Sequence, residues 1–129
     1  MSSALPERVE IGDLALEIAK RGDDIVVHWH GKSNQRNPRQ HLHGFFHSLV
    51  GATLPQRVVE FHFEDIDHFN SATILAIVEL ARDLDRCGGI FRCVYDAGQR
   101  WQKLTFEALG RLDVPIAVIG RAVTSPGAR

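Results

Sequence analysis

Apolar residues recur along this chain in two rhythms, and the switches between them outline its elements. Leu14, Leu16 and Ile18 alternate with Ala15, Glu17 and Ala19, a period of two that predicts a strand. Arg21-Gly22-Asp23-Asp24 predicts a turn and Ile25 to His30 a second strand, so the two form a hairpin. Gly31 to Pro38 is polar and reads as a loop. After Pro38 the apolar positions are Leu42, Phe45, Phe46, Leu49 and Val50, which is helical spacing, and Pro55 closes the segment. Arg57 to Phe63 predicts a third strand, and Glu64 to Phe69 a short polar loop. A second helix starts near Asn70 and Ser71, with Ile74, Ile77, Val78, Ala81 and Leu84 on its apolar face. Cys87-Gly88-Gly89 ends it, because glycine tolerates a left-handed cap. Ile90 to Tyr95 is a fourth strand and Asp96-Ala97-Gly98 a turn. A third helix follows, with Trp101, Leu104, Ala108, Leu109 and Leu112 facing inward. Pro115 to Ile119 predicts a short last strand, and Arg121 to Arg129 a loose tail.

Helices between successive strands imply parallel crossovers, and the opening hairpin supplies an antiparallel edge. The strands also sort into faces. Ile25, Val27 and Trp29 share one side, as do Val59, Phe61 and Phe63, and Phe91, Cys93 and Tyr95. The opposite sides carry Val26, His28 and His30, then Val58, Glu60 and His62, then Ile90, Arg92 and Val94. A sheet covered on both faces reads as continuous apolar runs, and these do not. The expectation is a single α/β domain spanning 1–129, with a core of about 14–119. Its sheet is mixed and mostly parallel, with helices packed mainly on one face.

Composition narrows the functional classes. Hydrophobic residues are 44% and charged residues 24% of the 129, enough to bury a core without disulfides or metal. A formal charge of −1 gives no reason to expect nucleic acid or an anionic membrane as partner. No apolar run approaches the roughly 20 residues of a membrane span. The start, Met1 to Arg8, lacks a secretory pattern, and Cys87 and Cys93 make no disulfide framework. A cytoplasmic, reduced protein is expected, as a monomer or weak homodimer, with no cofactor.

The most informative chemistry is the hydroxyl of Ser71 in the first turn of the second helix. Unpaired backbone N–H groups and the positive end of the helix dipole converge there, a setting suited to a phosphate. Asn70 and Ser71 are also favoured helix caps, so capping alone accounts for the pair equally well. A second constellation is His28 and His30 on one strand with His62 and Glu60 beside them, a donor set that suits zinc and raises a metal-binding alternative. His43 and His47 form an i, i+4 pair able to chelate adventitiously. Asp65, Asp67 and His68 lack a nucleophile or oxyanion partner around them, so no catalytic residue is assigned. Trp101 is read as core, or as an interface anchor if partly exposed.

In order and spacing, Val58-Val59-Glu60-Phe61-His62-Phe63, Phe69-Asn70-Ser71-Ala72, Leu80-Ala81-Arg82, Gly88-Gly89-Ile90-Phe91 and Leu104 to Leu112 resemble the STAS family, named for sulphate transporters and anti-sigma factor antagonists. The resemblance runs from about Leu14 to Ile119. It implies a non-enzymatic bacterial signalling module that regulates transcription through protein–protein contact. In bacterial members a serine after an aspartate is phosphorylated by a partner kinase that is also the anti-sigma factor, and a metal-dependent, PP2C-type phosphatase reverses it. By that likeness Ser71 is the phosphoacceptor and Thr73 the second choice. The docking surface expected is Asn70, Ser71, Ala72, Thr73 and Leu75, and the loop from Lys32 to Asn37 is read as simply solvated or, where it lies near the Ser71 end of the sheet, as adding Ser33 and Asn34. Asn70 stands where the family has aspartate, and Ala72-Thr73 where it has a small residue and then glycine. The alternative within the family is a scaffold that works without phosphorylation.

Overall fold

The structure is a computed structural model that describes residues 5–33 and 38–122. Its elements run β1 (Arg8–Ile11), β2 (Leu14–Arg21), β3 (Asp24–Ser33), α1 (Pro38–Ala52), β4 (Val58–Phe69), α2 (Ser71–Arg86), β5 (Ile90–Asp96), α3 (Arg100–Gly110) and β6 (Ala117–Arg121). The sheet order is simply β1-β2-β3-β4-β5-β6. The first three strands pair antiparallel, and β3 through β6 pair parallel. Each parallel crossover steps the same way across the sheet. Right-handed crossovers that never reverse direction place all their helices on one face. The expected mixed sheet with one-sided helices is what the chain forms.

The core lies between that face and the helices. Trp29, Phe61, Phe63 and Phe106 are fully buried, and Leu42, Leu49, Ile77, Leu80 and Leu84 reach them from α1 and α2. Trp29 sits 5.4 Å from the Phe61 ring and 5.0 Å from Phe63, so the central strands meet through tilted aromatic pairs.

Five expectations are corrected. Strand β3 runs on through Ser33, three residues into the expected loop of Gly31 to Pro38, paired with the second half of β4, and Pro38 already belongs to α1. An extra strand, β1, precedes the hairpin; Gly12 (φ 59°) makes the tight turn that folds Val9 and Ile11 back onto Leu16 and Leu14. The segment Glu64 to Phe69 is not a loop but the second half of β4. There β4 carries one extra residue between the pairs His28↔His62 and His30↔Asp65, and another between Gly31↔Ile66 and Lys32↔His68. These two bulges convert the alternation of a regular strand into a step of three, so Phe63, Ile66 and Phe69 all turn inward. In α3 the buried positions are Gln102, Phe106 and Leu109; of the other residues expected inward, Leu104, Ala108 and Leu112 are exposed and Trp101 is half-buried. Gln102 faces the core because its side chain serves the backbone, accepting from Asp96 N at 2.7 Å and donating to Phe63 O at 2.8 Å. Finally, β6 starts and ends two residues later than the expected Pro115 to Ile119, running through Gly120, which lies against the Tyr95 ring, to Arg121. Arg121 is therefore strand, and residues 123–129 of the expected tail lie outside the described residues.

Candidate functional site

The end of β3 and the end of β4 meet at the start of α2, and the contacts there are specific. Asn70 caps the helix in an extended conformation (φ −90°, ψ 174°). Its Oδ1 accepts from Thr73 N at 3.0 Å and from the Thr73 hydroxyl at 2.8 Å. With the Thr73 hydrogen directed there, the Ser33 hydroxyl donates to Thr73 Oγ1, 2.8 Å away. Asn70 N donates to Ser33 O at 3.1 Å. A residue on β3 thus grips a helix turn 40 positions later, which fixes the direction in which α2 leaves the sheet.

Ser71 is the first helical residue and is exposed. No acidic side chain lies in the first turn, so the positive end of the dipole is not offset from within the helix. Leu75, 61% exposed, follows one turn later on the same stripe, with Ala72 half-buried beside it. Phe69 leads into the turn and takes the edge of Trp101 at 5.5 Å between centroids. Trp101 Nε1 donates to Gln99 Oε1 at 3.1 Å, which leaves this half-buried indole at the margin of the site.

The remaining expected site residues divide. Thr73 and Ser33 are both 0% exposed and bonded to each other; their hydroxyls hold the turn and offer nothing to a visitor. Asn34 lies outside the described residues. The Ser33–Thr73 pairing was beyond sequence reasoning, since nothing in either segment signals a partner so far along the chain.

The histidine cluster is real as geometry and differs in kind from the metal site considered above. His28 and His62 are register partners with rings stacked 4.6 Å apart, and His30 is 6.4 Å from His28. Both nitrogens of His62 are taken by carboxylates, Nε2 by Glu60 at 2.7 Å and Nδ1 by Glu64 at 3.1 Å. Stacked rings present faces to one another, not lone pairs to a common point. Among the described residues no three His, Cys, Asp or Glu side chains gather as a metal site. A separate cleft of about 360 Å³ opens between α1 and α2, lined by His43, Phe46, Val50, Leu80, Asp83 and Cys87. None of the Asn70–Leu75 residues lines it. Among the described residues no helix is long and apolar enough to cross a membrane.

This fold, a mixed sheet with helices on one face and a helix N-terminus at the end of its central parallel strand, is STAS-like. Among solved structures the chain is similar to the anti-sigma factor antagonist SpoIIAA in its unphosphorylated form, with a TM-score of 0.59 and 11% identity, covering 88% of this chain and 93% of that one. It is also similar to an uncharacterized protein of the DUF3478 family with a SpoIIAA-like fold from Shewanella loihica PV-4. There the TM-score is 0.55 and the identity 15%, covering 99% of this chain and 95% of that one. No family model matches the sequence, and no curated protein does. At such identities the likeness establishes the fold.

Proposed function

We propose that this chain is a bacterial signalling module that acts by contact, docking a protein partner on the first turn of α2 and releasing it when Ser71 is phosphorylated. The partner is an anti-sigma factor or serine kinase of that type, opposed by a PP2C-type phosphatase, and the setting is the cytoplasm. One observation carries the reading: on a SpoIIAA-like fold, the exposed hydroxyl of the helix start is Ser71. Thr73, fully buried, drops out as an acceptor, because a kinase would have to unfold the turn to reach it. Phosphate adds nearly two negative charges beside backbone N–H groups. The helix end accommodates them, whereas a partner fitted to a neutral hydroxyl and to Leu75 meets bulk and charge.

The test is capture of the partner from cells of the source organism by wild type, Ser71→Ala and Ser71→Asp, with circular dichroism on each. Wild type and Ser71→Ala retain the same protein, while Ser71→Asp loses it with its spectrum unchanged. Equal retention by Ser71→Asp refutes the switch. It would favour the second reading, a scaffold independent of phosphorylation, for which the cap speaks: Asn70 stands where the resembled family has aspartate.

A further inference from the structure

Charged side chains crowd the sheet face that carries no helix, and at its centre two of them are buried beside Val26 and Val94. Glu60 is 8% and His62 7% exposed. His62 Nε2 lies 2.7 Å from Glu60 and Nδ1 3.1 Å from Glu64, so a ring carrying hydrogen on both nitrogens would donate to a carboxylate on each side. Arg92 of β5 donates to Glu60 Oε2 at 2.9 Å. Arg21 of β2 lies 3.7 Å from Glu60, and Arg121 of β6 3.9 Å from Glu64. Four strands therefore contribute to one polar network around His62.

His28 of β3, itself exposed on the outer side, lies flat on the His62 ring, with ring planes 24° apart. The groups facing it are Glu17 from β2, His30 from its own strand, and His62, Glu64 and Asp65 from β4. Glu17 is engaged with Arg8 at 2.9 Å and His30 at 3.0 Å, and His62 takes Glu64. Burial, then the charge of His62, holds the His28 imidazole below its ordinary pKa, and Glu64 and Asp65 pull the other way without prevailing.

We propose that the His28–His62 stack is an acid-sensitive catch on the seam between β3 and β4: a proton taken up by His28 sets two imidazolium rings face to face and loosens the seam. The sign follows from linkage. An unfolded His28 takes its proton at the ordinary imidazole pH, and the folded one only at a lower pH. Over that interval the folded chain binds fewer protons, so stability falls as pH falls, and levels off below the folded value. The seam ends at the pair Ser33 and Phe69, and Ser33 holds the α2 turn through Asn70 N and the Thr73 hydroxyl.

The experiment is an NMR titration of the histidine side chains in wild type from about pH 8 to about pH 4.5, bracketing the imidazole range, with His28 assigned through His28→Gln. His28 is expected to titrate below a histidine in an unstructured peptide in the same buffer, and to move up in His62→Gln. Wild type is expected to lose more melting temperature than His28→Gln between neutral and acid pH. If His62→Gln does not fold, the wild-type titration and the two melts decide the matter. A His28 that titrates with the peptide, or equal acid losses in wild type and His28→Gln, overturns the proposal.

Discussion

Replacing Asn70 by alanine removes one acceptor that serves two donors. Asn70 Oδ1 takes the Thr73 N–H and the Thr73 hydroxyl, and Thr73 is completely buried. Loss of a helix cap costs about 1 kcal/mol. A buried hydroxyl stripped of its acceptor costs roughly 1–3 kcal/mol more, reduced here because the hydroxyl can reorient toward Ser33 Oγ. The expected destabilisation is about 2–3 kcal/mol, or roughly 10 °C in melting temperature for a chain of this size. Asn70→Asp keeps both acceptor contacts and adds a negative charge at a helix start whose first turn has none of its own. It should match wild type or gain about 0.3–1 kcal/mol. Urea unfolding of the three proteins at neutral pH measures both differences, with unchanged slopes confirming that the native state is the same. An Asn70→Ala within about 0.5 kcal/mol of wild type, or an Asn70→Asp as damaging as alanine, refutes the cap-and-clamp account of this turn.

Three further outcomes follow from other parts of the fold. Gln102→Leu leaves Asp96 N, Phe63 O and Ile66 O without their side-chain partner inside the core, and should cost about 3 kcal/mol by chemical denaturation; a neutral result would mean the backbone there is satisfied another way. Gly31→Ala meets the Asp13 carbonyl at a left-handed position (φ 90°), so it should lose at least about 2 kcal/mol, where an alanine at Gly44, which meets open space on an exposed helix face, should not. Burial pushes the Glu60 carboxyl up, but hydrogen bonds from His62 and Arg92 and their charge outweigh it and leave its pKa below the ordinary value of 4.5. Its stabilisation is therefore complete above that value and lost as pH falls through the lower folded one, so Glu60→Gln should flatten the acid limb of a stability–pH curve below pH 4.5.

Much of this architecture was legible because local and tertiary preferences agree. The alternation in β2, β3, β5 and the first half of β4 picked out the face that packs on the helices, although Val26, Glu60, His62 and Val94 of the opposite face are buried too, and α1 and α2 showed their apolar stripes plainly. What escaped was set by irregularity or by polar residues in apolar roles. Phe63, Ile66 and Phe69 step by three because of two bulges, a rhythm that belongs to neither strand nor helix. Gln102 reads as surface, yet it is buried with Phe106 and Leu109, and its polarity hid the true face of that helix. Strand β1 is short and follows only from Val9 and Ile11 set against a Gly-Asp turn. At the candidate site, the helix start and its exposed Ser71 were readable from cap chemistry. The burial of Ser33 and Thr73 was not, because it arises from a contact between segments 40 positions apart.

The central claim is tested most directly by intact-mass and peptide-mapping spectrometry of the protein isolated from its own cells, growing and starved, with and without phosphatase treatment. The account predicts a single phosphoryl group, removed by the phosphatase, mapped to Ser71, absent from Ser71→Ala and never on Thr73. Phosphate on another residue, or a chain unmodified in every state while still holding its partner, would contradict it.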